Sequence, residues 1–385
     1  MLDDWQYGGF GVYIHWPFCL SKCPYCDFNS HVSDEINHKE WRDALLAELR
    51  YSARLTGARS VDTVFFGGGT PSLMAPQTVA TLIDEIDRLW GLKPGAEITL
   101  EANPTSVEAG KFADFSKAGI NRISMGIQAL NDVDLKALGR LHSVSEALAA
   151  FDIAKKQFDR VSFDLIYARQ NQSPEMWFAE LHQALDLAVD HLSLYQLTIE
   201  PGTRFGALYD KGKLRYLPPS DAAADMYLGT GEICENYGLN GYEVSNYARK
   251  GAESQHNQIY WRYGDYGGIG PGAHARLTLN GQRTAFHTEL DPRKWLESVK
   301  NKGHGMLEPE VLPHSDQAIE YLMMSMRLKE GSDLTRYNAL AGQPLATDRL
   351  RQLQELDMVI VEGKMLKTTN KGRVLLNSIL SELLG

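Results

Sequence analysis

The sequence predicts an α/β fold, an incomplete (β/α)6 TIM-like barrel followed by a small C-terminal α+β domain with a winged-helix-like pattern. Short β-rich runs alternate with helical patterns from Phe10 to about Tyr195, which is typical of a parallel sheet. Glycines and polar residues follow these runs, where barrels of this type carry their chemistry. Three closely spaced cysteines follow the first run.

The alternation predicts six strands and five intervening helices. The predicted strands are Gly11–His15, Thr63–Phe66, Ile98–Glu101, Arg122–Met125, Val161–Asp164 and His191–Tyr195. The predicted helices, which carry apolar residues at helical spacing, are His38–Leu55, Gln77–Trp90, Ser106–Ala118, Ser145–Phe158 and Pro174–Ala188. A sixth helix is expected over Asp221–Tyr237, with Ser220 as its N-cap.

The C-terminal part has a different pattern. After a linker over Asn301–Pro313, we expect helices over Ser315–Leu328, Leu334–Leu340 and Ala346–Glu355, a hairpin turning at Glu362-Gly363, and a closing helix over Lys371–Leu384. The expected domains are therefore residues 1–300 and 301–385. Winged-helix domains often bind DNA, but the absence of a basic cluster here favours a lid or a protein-docking role.

Composition excludes several classes of protein. A net charge of −10 does not favour general binding to nucleic acid. Three of the four cysteines are clustered, which indicates a reducing compartment and a metal site rather than a disulfide framework. The acidic N-terminus lacks the apolar core of a signal peptide, and no apolar run approaches membrane-spanning length, so we expect a cytoplasmic protein.

The central motif is Cys19-Leu20-Ser21-Lys22-Cys23-Pro24-Tyr25-Cys26. Three thiolates at this spacing can bind three irons of a cubane 4Fe–4S cluster, which leaves the fourth iron open to a small molecule. S-adenosylmethionine (SAM) suits that position because its amino and carboxylate groups chelate one iron. The ring of Tyr25 can pack on the adenine.

Two other interpretations of the cysteines remain open at this point. Zinc usually takes a fourth protein ligand, and His31 is near enough in sequence to supply one. A disulfide is a poor alternative, because three clustered cysteines leave one unpaired.

Candidate ligand contacts stand at successive strand ends. The second strand ends in Gly67-Gly68-Gly69-Thr70-Pro71, where missing side chains let the backbone approach a ligand, and no Gly-Lys-Ser/Thr follows as in a phosphate loop. Glu101 ends the third strand and can accept hydrogen bonds from ribose hydroxyls or an amine. Gln128 and Asp164 end the next two strands, and Arg140 follows Gln128 in the same connection. Together these residues predict one site.

A second motif, His256-Asn257-Gln258-Ile259-Tyr260-Trp261, precedes the glycine- and tyrosine-rich run Gly264–Gly272. A histidine beside two large aromatic residues can ligate haem iron while the rings pack on the macrocycle. From the residues alone, a surface loop with a half-buried aromatic anchor is favoured instead.

These motifs together resemble the coproporphyrinogen-dehydrogenase-like branch of the radical-SAM superfamily. The resemblance rests on Tyr13–Cys19, the cysteine triad, Gly67–Pro71, Gln128 and Phe163–Tyr167, and it extends over nearly the whole chain. It implies a radical-SAM barrel with a 4Fe–4S cluster and SAM as cofactors.

Two functions occur in this branch, and three features separate them. One is oxygen-independent coproporphyrinogen III oxidase, a radical-SAM oxidative decarboxylase of haem biosynthesis, and the other is a haem chaperone. The oxidases carry a further cysteine where this chain has Phe28, and a long segment before the cluster where this chain has only Met1–Phe18. The chaperones carry H-N-x-x-Y-W, which His256–Trp261 matches. The resemblance therefore favours a haem chaperone without oxidase activity, with the oxidase as the alternative.

The resemblance also implies site residues and partners. The cluster ligands are Cys19, Cys23 and Cys26, and His256 is the first candidate for the haem ligand, with His15 and His274 as fallbacks. The implied SAM contacts are Tyr13, Tyr25, Gly68, Gly69, Thr70, Glu101, Gln128, Arg140 and Asp164. The implied partners are haem and haem-accepting proteins such as respiratory enzymes, including membrane-associated ones, with no nucleic acid. No catalytic residue is implied.

Overall fold

The computed structural model describes residues 3–33 and 35–385. Its strands are β1 (Phe10–Trp16), β2 (Phe18–Cys19), β3 (His31–Val32), β4 (Val61–Gly68), β5 (Leu92–Ala102), β6 (Arg122–Gln128), β7 (Arg160–Tyr167), β8 (His191–Gln196), β9 (Asn240–Gly241), β10 (Asn246–Ala248), β11 (Asp265–Ile269), β12 (His274–Leu279), β13 (Gln282–His287), β14 (Glu310–Val311), β15 (Ser332–Asp333), β16 (Val359–Glu362) and β17 (Met365–Thr368).

The helices alternate with these strands in the first half of the chain. They are α1 (His38–Thr56), α2 (Pro76–Trp90), α3 (Ser106–Ala109), α4 (Phe112–Lys117), α5 (Asp132–Ala137), α6 (Val144–Gln157), α7 (Pro174–Leu187), α8 (Arg204–Asp210), α9 (Ser220–Asn236), α10 (Gln255–Trp261), α11 (Pro292–Lys302), α12 (His314–Ser325), α13 (Leu334–Ala341), α14 (Thr347–Glu355), α15 (Asn370–Arg373) and α16 (Leu376–Leu384). Among the described residues, no helix is both long and apolar enough to cross a membrane.

One mixed sheet organises the molecule. Its strand order is β14-β13-β12-β11-β1-β4-β5-β6-β7-β8-β10-β9, and every neighbouring pair from β11 to β8 is parallel. The six predicted strands form the consecutive run β1-β4-β5-β6-β7-β8, so the predicted α/β class and parallel barrel are confirmed. Antiparallel strands extend both edges of this run.

The outer face of the barrel sheet forms the main core. In β1, the alternate residues Phe10, Val12, Ile14 and Trp16 are fully buried and belong to the same apolar cluster as the surrounding helices. Since successive side chains of a strand point to opposite faces, the intervening residues of β1 face the barrel interior.

The interior face is polar, unlike the apolar layers that usually fill a closed (β/α)8 barrel. The hydroxyl of Ser162 accepts from Arg122 at 2.9 Å and lies 3.1 Å from that of Ser124, which in turn donates to Asp164 at 3.4 Å. Polar side chains on neighbouring strands thus hold one another, and the upper end of the barrel remains open as a cavity.

The structure corrects several predicted elements. Gly264–Gly272, interpreted as a loop, contains β11, which pairs in parallel with β1. The predicted helix Ser106–Ala118 is broken into α3 and α4, because the chain turns at Gly110. Ser220 begins α9 rather than capping it, since Pro219 occupies the N-cap position.

The C-terminal elements follow the predicted order of helices, hairpin and closing helix. The strands β15, β17 and β16 form an antiparallel sheet, and β16 and β17 are joined at Gly363. Residues from Ala318 to Leu383 share a second apolar cluster, which also includes Tyr263, two residues after α10. The domain division at residue 300 stays a prediction.

A buried carboxylate joins α1 to two loops near the cysteine segment. Glu48 has no exposed surface, and its oxygens accept from Gly270 N at 2.7 Å, Gly305 N at 2.6 Å and the indole of Trp295 at 3.1 Å. Burial raises the pKa of Glu48 to about 7, although these three donors oppose the shift.

This environment predicts a pH-dependent loss of stability. In the unfolded chain Glu48 ionises near its usual pKa of 4.5, while the folded protein holds the proton up to about pH 7. The folded state therefore becomes less stable as the pH rises through that window, by about 3 kcal/mol in total. We expect the free energy of unfolding of Glu48→Gln, measured by urea denaturation between pH 4.5 and 7.5, to lack this component of the wild-type pH dependence. Parallel profiles for the two proteins would contradict the assignment.

Candidate functional site

A solvent-open cavity of about 740 Å³ lies at the C-terminal ends of β4 to β7, beside the cysteine segment. The predicted residues that line it are Cys19, Cys23, Tyr25, Cys26, Gly68, Gly69, Thr70, Glu101, Gln128, Arg140 and Asp164. The topology thus brings together residues from five separate parts of the chain.

Tyr13 and His256 are not among the lining residues. Tyr13 lies on β1, where its hydroxyl is 3.2 Å from Nδ1 of His15 and its ring stacks on Phe65 and His256. Tyr13 therefore lies in the barrel interior, and its predicted contact with SAM stays a prediction.

Hydrogen-bond donors surround the three cysteine sulfurs. Thr70 Oγ1 donates to Cys19 Sγ at 3.5 Å, Arg140 Nη1 donates to Cys23 Sγ at 3.4 Å, and the hydroxyl of Ser30 lies 3.8 Å from Cys26 Sγ. Burial raises the pKa of the Cys19 thiol, whereas the bond from Thr70 lowers it. Such donors stabilise thiolate ligands and influence the reduction potential of an iron–sulfur cluster.

Asn103 connects two of these donors and was not among the predicted site residues. Its side-chain oxygen accepts from Arg140 Nη2 at 2.6 Å, and its side-chain nitrogen donates to Thr70 Oγ1 at 3.2 Å. Glu108, which is buried, in turn accepts from the backbone N–H of Asn103 at 2.8 Å and from the hydroxyl of Ser72. The position of Asn103 two residues after Glu101, at a strand end, is a signal that the sequence does contain.

The two carboxyl groups of the cavity are poised to bind positive charge or hydrogen-bond donors. Desolvation, and then the proximity of Asp164, raise the pKa of Glu101 to about 8. Desolvation also raises the pKa of Asp164 to about 6, although Ser193 and Arg122 oppose the shift. A cationic ligand in this cavity would favour the ionised form of both carboxyl groups.

The glycine turn after β4 is close to the cysteine segment itself. Gly68 has a φ of +116°, and a Cβ there would lie 2.8 Å from Trp16 O. A Cβ on Gly69 would lie 2.7 Å from Phe18 O and 3.0 Å from Cys19 Sγ. Glycine is therefore needed at both positions because a side chain would clash with the chain's own backbone, whether or not a ligand also approaches.

Gln128 adopts a strained backbone conformation. Its φ is +75°, which is uncommon for a residue with a side chain, and the strand register shifts between Met125 and Gln128. Such strain tends to concentrate at functional sites. The register shift includes Gly126, whose carbonyl oxygen accepts a hydrogen bond from Arg140 at 2.8 Å.

His256, the predicted haem ligand, lies in the barrel interior and is 1% exposed. Its Nδ1 is 2.6 Å from Thr63 Oγ1, and its Nε2 is 2.8 Å from the hydroxyl of Tyr260. Burial lowers its pKa to about 3. The haem-ligand role of His256 stays a prediction, and it requires the ring to leave at least one of these partners.

The zinc alternative would require His31 to join the cysteines at a single ion. Within residues 3–33 and 35–385, no three His, Cys, Asp or Glu side chains converge closely enough to hold a single metal ion, as a zinc site requires. His31 instead contacts the side-chain oxygen of Asn29 at 3.0 Å. A cubane distributes its three cysteine sulfurs over three irons, so it does not require them to converge on one ion.

Comparisons with known proteins identify the superfamily and the fold. The model of the radical SAM superfamily matches residues 13–181, which include the cysteines and the lining residues of the first five barrel strands. A solved structure of coproporphyrinogen III oxidase (HemN) from Escherichia coli superposes with a TM-score of 0.80 over 98% of this chain and 92% of that one, at 23% identity. At that identity the likeness shows the shared fold alone.

Full-length relatives identify the family more narrowly. The chain is 38% identical to heme chaperone HemW of Escherichia coli over 96% of each chain, and 32% identical to heme chaperone HemW of Bacillus subtilis over 97% of this chain and 99% of that one. It is also 37% identical to the mitochondrial radical S-adenosyl methionine domain-containing protein 1 of Danio rerio, over 97% of this chain and 86% of the relative. The chain therefore belongs to the radical SAM superfamily, in the family that includes HemW and mitochondrial radical S-adenosyl methionine domain-containing protein 1.

Proposed function

We propose that this protein is a haem chaperone, which binds haem, a 4Fe–4S cluster and SAM, and transfers haem to acceptor proteins. The observation that carries the proposal is the match to proteins named heme chaperone HemW over almost the full length of both chains. The acceptors we propose are haem-dependent enzymes such as those of respiration.

The cluster is held by Cys19, Cys23 and Cys26 in this proposal. The donor groups of Thr70, Arg140 and Ser30 near the three sulfurs fit a set of thiolate ligands. When bound, such a cluster supplies one iron with an open coordination position and a site for one-electron chemistry. The chain's contribution is to keep that iron facing the cavity.

SAM occupies the cavity in the same proposal. Glu101 and Asp164 provide acceptors for its ammonium and ribose hydroxyl groups, and the half-buried ring of Tyr25 offers an apolar surface to its adenine. Arg140 lies between Cys23 and Asn103, where its charge can face the SAM carboxylate.

A haem-transfer experiment tests the proposed function. We expect the anaerobically reconstituted protein to bind one haem per chain, seen as a Soret band, and to pass it to the apo form of a b-type respiratory enzyme. With coproporphyrinogen III, SAM and a reductant, we expect no multiple-turnover decarboxylation, because Phe28 replaces the oxidase cysteine. Sustained formation of protoporphyrinogen, or failure of the wild-type protein to bind haem, would contradict the proposal.

The carboxylates of the cavity provide a test of the SAM site. SAM changes the EPR spectrum of the reduced cluster in the proposed complex. We expect Glu101→Gln to need a roughly ten-fold higher SAM concentration than wild type for the same change, because a charge-assisted hydrogen bond contributes about 1.5–3 kcal/mol. Glu48→Gln is the matched control, since it alters another buried carboxyl group that does not line the cavity. An equal SAM response in Glu101→Gln and wild type would place SAM elsewhere.

Asn103 provides a test of how the cluster is held. We expect Asn103→Ala to lower the reduction potential of the cluster and to weaken its retention by roughly ten-fold, since outer-shell partners typically contribute that much to a metal site. Potentiometric EPR titration and iron analysis measure the two effects. Asn121→Ala is the control, because Asn121 makes similar bonds to Ala96 and Ile98 away from the cavity. Equal cluster reduction potentials in Asn103→Ala and Asn121→Ala would exclude a role of Asn103 in holding the cluster.

A further inference from the structure

A pair of histidines lies at the edge of the barrel mouth, outside the cavity. His274 begins β12 and His287 ends β13, and the two are direct cross-strand partners. Their rings meet edge to face with centroids 4.3 Å apart. His274 is exposed and His287 half-buried, and within the described residues neither ring has a hydrogen-bond partner.

Most other histidines of the chain are already engaged. His15 and His31 contact Asn29, and His38 stacks on Trp16. The rings with other hydrogen-bond partners are His142 with Ile127, His182 with Tyr237, His191 with Tyr242, His256 with Thr63 and Tyr260, and His304 with Met306. His314 is exposed at the start of α12 without a neighbouring histidine. The pair thus differs from the rest in offering free imidazole nitrogens side by side.

The pair is connected to the cysteine segment. The side chain of Asn29, three residues after Cys26, donates to Pro271 O at 2.9 Å and to Leu290 O at 3.0 Å. These two carbonyl groups flank β12 and β13. The segment that carries the cluster ligands therefore rests on the two connections that position the histidine pair.

Exposed apolar side chains occur around the same edge. Leu290 is 60% exposed and Leu307 is 50% exposed, and the backbone N–H of Leu307 donates to His287 O at 2.9 Å. Phe28, which is 59% exposed, belongs to the cavity wall on the cysteine side. A flat apolar ligand with a central metal would cover these apolar side chains while an imidazole nitrogen of the pair coordinates its metal.

We propose that His274 is the axial ligand of the haem iron and that His287 orients it, so that haem binds at the mouth of the barrel beside the cluster segment. This inference rests on the proposed haem-binding function and assigns the site of that function. His274 is assigned the ligand role because it is the exposed member, and His287 the positioning role because its half-buried ring fixes the orientation of its partner. Although His274 is exposed, partial desolvation of its ring and the neighbouring His287 lower its pKa, which favours the neutral imidazole that iron ligation requires.

The test separates iron ligation from apolar docking. The cluster-loaded wild type, His274→Ala, His287→Ala, His256→Ala and His314→Ala are each titrated with ferric haem and with metal-free protoporphyrin IX. We expect His274→Ala to shift the Soret band and to weaken haem binding by roughly ten-fold or more, since even outer-shell partners contribute that much to metal sites. Protoporphyrin IX binding, followed by its fluorescence, should stay at the wild-type level, and added imidazole should restore the Soret band.

His287→Ala should weaken haem binding less than His274→Ala and leave the position of the Soret band near that of wild type. His314→Ala is the matched control, because it removes an exposed histidine away from the pair. If His274→Ala binds haem with the wild-type affinity and spectrum, this inference is overturned while the proposed function stands. Loss of haem affinity in His256→Ala would then assign the iron ligand to the barrel interior. A wild-type protein that binds no haem would overturn both this inference and the proposed function.

Discussion

The contact between the glycine turn after β4 and the cysteine segment after β1 is the constraint on which the site depends. Backbone hydrogen bonds join the two, from Gly69 N to Trp16 O at 2.7 Å and from Thr70 N to Phe18 O at 2.8 Å. These bonds are possible only where no Cβ stands between the segments. The same contact brings the Thr70 hydroxyl to Cys19 and opens the cavity between the cysteines and the ends of β5 to β7.

The polar interior of the barrel is the second condition for a site. A barrel interior filled by apolar side chains, as in a closed (β/α)8 barrel, would offer no hydrogen-bonding support beneath the polar residues at the strand ends. Here hydroxyl groups on β6 and β7 and the guanidinium of Arg122 support Asp164 from below. Burial raises the pKa of both Glu101 and Asp164, and a cationic ligand in the cavity would offset that desolvation and favour the ionised carboxylates.

The sequence predicted the parallel strands and the cavity residues well, for a physical reason. Strands rich in β-branched and aromatic residues alternate with helical patterns, which indicates a parallel sheet. The carboxyl ends of parallel strands meet at one edge, so that Cys19, Gly68, Glu101 and Asp164 had to converge. The strand β11 was not predicted, because Gly267 and Gly268 lack the side chains that mark a strand and because its pairing with β1 is made by the backbone. Asn103 was missed since its role depends on two residues distant in sequence.

The environment of α10 gives the H-N-x-x-Y-W motif a structural role that is independent of haem. His256 is fixed by Thr63 and Tyr260 inside the barrel, while Trp261 lies under the guanidinium of Arg327 at 4.5 Å. Tyr263, just beyond the helix, enters the apolar cluster of the C-terminal elements. The motif thus joins the barrel interior to the C-terminal part, a structural role that does not require the iron to bind at His256. A buried histidine with two hydrogen-bond partners supplies rigidity, whereas the proposed release of haem to an acceptor would favour an iron ligand at an open edge of the sheet.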